Sequence, residues 1–119
     1  MWEMKGDMSG AAVVAGAVLS AAKAKLPVKI LGVIPAAENM LSGKAMKPGD
    51  IIITSSGKSI EVDNTDAEGR MILADALDFV SKRKPDLIID LATLTGACVV
   101  ALGEFVGGLF TKNEDLSST

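Results

Sequence analysis

Apolar and polar positions along this chain fall into blocks whose period changes several times. Residues 1–8 are short and polar enough to predict a loop or extended start. In residues 10–22 Ala, Val and Leu fall almost all round a helical projection, which predicts a largely buried helix capped by Asp7 or Ser9 and running to about Lys25. Pro27 stops it. Residues 28–34, rich in Val, Ile and Leu, read as a strand, and a helix followed by such a run suggests helix packed on sheet. Residues 35–49 hold two prolines and two glycines and read as a long loop, which in a compact domain usually serves function or assembly. Residues 51–54 and 58–62 form a predicted hairpin turned by Ser55, Ser56 and Gly57. A helix then spans about 68–82 and is closed by Pro85. The apolar run at 87–91 has the mark of a strand buried on both faces. A short helix at 95–102 closed by Gly103, a last strand at 106–111 and a helix opening within 113–119 complete the pattern. The predicted fold class is α/β, with a mixed, mostly parallel sheet flanked by helices.

Composition narrows this picture. The 119 residues allow one domain with a modest core. Apolar residues make up 49% and aromatic residues only 3%, so that core must be built from Ala, Val, Ile, Leu and Met. The net charge of −3 and the lack of a basic run argue against nucleic acid as a partner. Residues 10–22 are too few and too rich in Ala and Gly to span a membrane, and Glu3 and Asp7 do not suit the start of a signal peptide. Cys98 stands alone in an apolar run and reads as a small buried hydrophobe. A reducing, cytoplasmic setting fits.

The candidate chemistry sits where the hairpin hands over to the helix, in Asn64-Thr65-Asp66-Ala67-Glu68-Gly69-Arg70. Asp66 and Glu68 place two anionic oxygen donors at a helix start, where the helix dipole tolerates the charge. Gly69 allows close approach of an ion to the backbone. Arg70 offers a planar fork that suits a carboxylate, carbonate or phosphate. A cation site with an anion site beside it follows. The simpler alternative is an ordinary helix start, with Asn64 or Thr65 as cap and Arg70 paired on the surface. There is no histidine, so any metal must be held by oxygen ligands, supplemented at most by an amine.

The string NTDAEGR followed by MILADAL resembles the signature of the leucyl aminopeptidase (cytosol aminopeptidase) family. The segment from Met4 to Ala12, the stretches Pro35-Ala36-Ala37-Glu38-Asn39-Met40 and Lys47-Pro48-Gly49-Asp50, and the run Asp90-Leu91-Ala92-Thr93-Leu94-Thr95-Gly96-Ala97 resemble the family in the same order. The resemblance covers nearly the whole chain and implies the middle part of the catalytic domain, so that residues 1–119 are a partial catalytic domain of zinc-exopeptidase-like α/β/α form. It implies a two-metal exopeptidase that releases the N-terminal residue of a peptide. Two divalent ions, zinc or manganese, are implied, with Asp66 on one, Asp7 on the other and Glu68 bridging both. A metal-bridging water would be the nucleophile. Arg70 would hold an anion, bicarbonate in the family, that shuttles the proton.

The same resemblance implies that Thr93, Leu94, Thr95 and Gly96 run along the substrate backbone and that Met4 lines the pocket for the first side chain. Ordinary packing is the alternative for Met4, Thr93 and Leu94. A further aspartate and two lysines of the family precede the part that this chain matches, so the ligand set held here is expected to be incomplete and the chain to be a middle piece inactive alone. Full-length members assemble as hexamers, which implies a homo-oligomer. A non-catalytic structural or assembly module with the same fold, and an anion-binding α/β domain using Arg70 without metal, are the rival readings. Gly57-Lys58-Ser59 resembles the end of a phosphate-binding loop, but position 52 is Ile where that motif needs glycine, and the tripeptide lies inside a hairpin.

Overall fold

Three isoleucines, a serine-glycine turn and a returning strand make the best-bonded part of the molecule. The computed structural model describes residues 2–118, so Met1 of the expected start and Thr119 of the expected last helix lie outside the described residues. The elements run in the order 3-10 helix (Trp2–Met8), α1 (Ser9–Lys23), β1 (Ile51–Ile53), β2 (Ser59–Glu61), 3-10 helix (Thr65–Ala67), α2 (Glu68–Ser81), α3 (Ala97–Leu102) and α4 (Glu114–Ser117).

β1 and β2 pair antiparallel, with Ile52 opposite Ile60. The ladder is extended beyond both strand ends by Thr54 N–H to Lys58 O (2.8 Å) and Val62 N–H to Asp50 O (2.8 Å). Between Thr54 and Lys58 the three-residue loop closes with Gly57 N–H on Thr54 O, and Gly57 takes φ 81°. That left-handed position is why the third loop residue is glycine. The hairpin is fastened to α2 from its turn. The Ser55 backbone N–H donates to Asp75 Oδ1 (2.8 Å) and the Ser55 hydroxyl to Asp78 Oδ2 (2.7 Å). Lys82 Nζ donates to the same Asp78 oxygen at 2.6 Å. These hydrogen bonds, Lys82's first, hold the Asp78 carboxyl below its ordinary value. Val62 (2% exposed) and Met71 (9%) are the buried apolar residues among those described and lie in this hairpin–helix unit. Past the end of α2, Lys84 takes the left-handed region (φ 51°) ahead of Pro85, and Arg83 lies 3.6 Å over the Phe79 ring while donating to the Phe79 carbonyl.

α1 differs from its sequence reading in three ways. It is preceded by a 3-10 helix rather than a loop or extended start. It has no side-chain cap: Met8 is the N-cap residue, the Ser9 hydroxyl turns back to Gly6 O, and the Asp7 carboxylate is engaged elsewhere. It is covered along one stripe only, Gly10, Ala11, Val14, Val18 and Ala21, and none of its residues is buried. That stripe meets two segments. Val14 and Val18 come so close to Gly32 that a Cβ there would sit 3.0–3.2 Å from them, and a Cβ on Gly10 would run into the Leu91 carbonyl. The helix closes with Leu26 N–H on Ala21 O and Lys25 N–H on Ala22 O, a Schellman arrangement with Lys25 at φ 51°.

The hairpin is the one sheet among the described residues, and it is antiparallel. The strands expected at 28–34, 87–91 and 106–111 have no ladder partner here. Their apolar side chains are correspondingly open, as with Ile89 at 70% exposure. A strand exists only through a neighbour's N–H and C=O groups, and a buried parallel strand needs neighbours on both edges. The same openness shows in the whole molecule. Its surface is 10056 Å², whereas a self-contained monomer of this length exposes about 6,100 Å². Its radius of gyration is 16.3 Å, against about 13.5 Å for a closed domain.

Candidate functional site

The acidic turn is shaped by its first residue. Asn64 is extended (φ −132°, ψ 122°) and its Oδ1 accepts the Asp66 backbone N–H at 2.9 Å, so Asn64 caps the 3-10 turn that feeds α2. Asp66 therefore lies on an exposed turn, Glu68 is the first residue of α2, and Arg70 is exposed two residues on. Glu68 and Asp66 both sit at the positive end of the helix dipole. The surface ion pair allowed for Arg70 in the simpler alternative is not made with any described residue. Arg70 borders an open cleft of about 410 Å³, together with Asn64, Ile60, Val62, Ala67 and Met71.

Glu68 is held from a distance in sequence. Asn39 Nδ2 donates to Glu68 Oε2 at 2.9 Å and to the Thr65 carbonyl at 3.2 Å. The two side chains face a second cleft of about 380 Å³, with Lys44, Met40 and Met71 among its walls. Met71 borders both clefts, so the first turns of α2 separate the Arg70 side from the Glu68 side.

Asp7 comes from the 3-10 helix before α1. The Thr93 hydroxyl reaches both its backbone carbonyl (2.7 Å) and its carboxylate Oδ1 (2.8 Å), sharing one proton between them. Leu94, the next residue, lies over the start of α2: a Cβ on Gly69 would be 3.6 Å from Leu94 Cδ1. Residues 93 and 94 thus connect the Asp7 segment to the acidic turn. Thr95 Oγ1 accepts the Ala97 N–H at 3.2 Å, and Gly96 is the N-cap residue of α3. Met4 stands in the middle of the first 3-10 helix and is half exposed.

The donors present are carboxylate oxygens, right in kind for a divalent cation. They are too few in one place: among the described residues no three Asp, Glu, Cys or His side chains gather closely enough to hold an ion. The residues of this chain do not by themselves fit a two-metal centre. Sequence reasoning missed Asn39 and Gly10. Asn39 lies in an irregular stretch where no period singles out a residue, and the need for Gly10 arises from a segment more than eighty residues away.

The whole chain, residues 1–119, matches the model of the cytosol aminopeptidase family, catalytic domain. The probable cytosol aminopeptidase of Chloroherpeton thalassium is 59% identical over 118 residues, covering 98% of this chain and 23% of that protein. The probable cytosol aminopeptidase of Chlorobium limicola is 61% identical over 118 residues, covering 98% of this chain and 24% of that protein. Among solved structures, a mutant of tomato leucine aminopeptidase superposes with a TM-score of 0.85 at 50% identity, covering 97% of this chain and 23% of that one. The chain therefore spans about a quarter of the length of the relatives it matches. Its likeness to the tomato enzyme gives it an α/β fold. The chain belongs to the cytosol aminopeptidase family and matches its catalytic domain.

Proposed function

We propose that the whole protein is a metal-dependent aminopeptidase that removes the N-terminal residue from peptides, and that this chain carries part of its active centre. The observation that supports this best is the meeting of three family-like segments: Thr93 on Asp7, and Leu94 over Gly69 beside Glu68. In this reading Asp7, Asp66 and Glu68 are metal ligands, completed by groups from other parts of the whole protein. A divalent ion held there, zinc or manganese, would supply an activated water at neutral pH. Arg70, free of ion pairs with described residues, holds an anion such as bicarbonate through its planar fork of N–H donors. Thr93, Leu94, Thr95 and Gly96 lie along the peptide, and Met4 lines the wall for its first side chain. The segments 28–34, 87–91 and 106–111 become strands of a mixed, mostly parallel sheet, in a cytoplasmic homo-oligomer, a hexamer in the family resemblance.

A second reading is a non-catalytic assembly module. What favours it is the donor count, since no three acidic side chains converge among the described residues. One experiment separates the two. A full-length chimera is made from the Chloroherpeton thalassium relative with these 119 residues in place of its matching segment. Metal content and hydrolysis of an aminoacyl amide are measured for the chimera, for its Glu68→Ala variant and for the 119 residues alone. The aminopeptidase reading expects metal-dependent turnover by the chimera and its loss in Glu68→Ala. It expects weak metal binding and little or no turnover from the short chain. A folded chimera without turnover favours the assembly module, and robust turnover by the short chain overturns the claim that its site is incomplete.

A further inference from the structure

We propose that Asn39 is the positioning residue for Glu68: it fixes where the Glu68 carboxylate points, and it ties the irregular stretch 24–50 to the start of α2. The proposal rests on the reading of Glu68 as an acidic residue of the active centre. Both polar groups facing Asn39 are acceptors, the Glu68 carboxylate at 2.9 Å and the Thr65 carbonyl at 3.2 Å. The Asn39 amide nitrogen carries two N–H donors, and one is used on each. The second bond fixes the first: by holding the backbone of the acidic turn, Asn39 sets its own position relative to α2 and so the direction from which Glu68 is held.

A glutamate at a helix start has three side-chain torsions, and a bond to one oxygen restricts all three while leaving Oε1 open for another partner. No other described group bonds to the Glu68 side chain, although Glu38, Ser42 and Lys44 border the same cleft. An aspartate at position 39 has the same shape and the wrong chemistry, since it sets one carboxylate against another. Groups that orient a ligating or reacting carboxylate in this way typically matter by roughly ten- to a hundred-fold in cation affinity or activity.

The test uses the full-length chimera and three variants at this position: Asn39→Ala, Asn39→Asp and Asn39→Gln, with Glu68→Gln as control. Mn²⁺ alone is titrated calorimetrically, and kcat, KM and melting temperature are measured for each. The expected result for Asn39→Ala is cation affinity and kcat lower by roughly ten- to a hundred-fold, with KM within about two-fold of the parent. Asn39→Asp should be worse than Asn39→Ala, and Asn39→Gln, which keeps the donor, should recover much of the loss. Variants that lower only the melting temperature, with cation affinity and kcat unchanged, show a mere loop anchor and overturn the proposal. If Glu68→Gln is damaging while all three Asn39 variants match the parent, positioning alone is wrong. If Glu68→Gln itself changes neither cation affinity nor kcat, the role given to Glu68 fails and the proposal falls with it. Should Asn39→Asp not fold, the Ala and Gln variants decide.

Discussion

In residues 49–84 a hairpin folds back onto the helix that follows it. In residues 85–118 a more apolar stretch passes the same helix with little to pair its backbone. The first region closes through partners near in sequence: Thr54 with Lys58, Asp50 with Val62, and Ser55 with Asp75 and Asp78. It contains Val62 and Met71, the buried apolar residues among those described. The second has Phe105 at 98% and Phe110 at 92% exposure. Hydrophobicity alone therefore does not decide what is buried in this chain. Local pairing does, because closing a short loop costs little entropy while docking a distant segment costs more and needs a second surface to dock on. The acidic turn lies in the region that closes. Its two distant partners, Asn39 and Leu94, lie in the regions that do not.

Three substitutions probe that contrast in the full-length chimera. The largest effect is expected from Met71→Ala, which empties the small core of the closed region; it should destabilise by about 2–5 kcal/mol, read from urea unfolding. An effect below the range of surface substitutions would mean that the hairpin and α2 are held mainly by polar contacts. Gly10→Ala should follow, because the new Cβ meets the Leu91 backbone and neither segment yields easily; a cost of about 1–3 kcal/mol is expected. Its displacement of residues 91–93 should also lower turnover, so a fully active and stable Gly10→Ala would show that α1 does not approach this segment in the complete domain.

The smallest effect is expected at Asp78, whose folded-state value lies below its ordinary 3.8. A carboxyl shifted in that direction contributes stability that is complete above the ordinary value and is lost as pH falls through the lower folded one. Asp78→Asn should therefore lower stability slightly at neutral pH and make the unfolding midpoint less steep in pH below about 4. An unchanged acid limb would show that the clamp from Ser55 and Lys82 contributes nothing. The group is near the surface, where such pairs are worth little.

The sequence was most informative where one short stretch determines its own geometry. The Ser55-Ser56-Gly57 turn, the boundaries of α2, a cap at Asn64 or Thr65 (Asn64 takes it, on the 3-10 turn) and Gly103 closing α3 (φ 85°) all follow from local chemistry. It was least informative where a residue's partner lies far away. Asp7 and Ser9 look like caps for α1, yet Thr93 claims Asp7 across eighty-six positions and Ser9 bonds to Gly6. The all-round apolar pattern of α1 suggested burial on every side, whereas one stripe is covered here. The apolar runs at 28–34, 87–91 and 106–111 carry strand composition without the neighbours that make a strand. Of the candidate site, the acidic turn was legible in the string itself; the grip of Asn39 on Glu68 was not, because it joins a loop to a helix across twenty-nine positions.

Amide hydrogen exchange, compared between the 119 residues alone and the full-length chimera, tests the central claim most directly. In the chimera, residues 28–34 and 87–94 should be as protected as the hairpin and α2. In the short chain, protection should survive longest at Thr54, Val62 and along α2, and should be lost first at 28–34 and 87–94. Uniform protection across the short chain, with 87–94 exchanging as slowly as α2, would contradict the account: the acidic turn would then sit in a domain that closes without further surface.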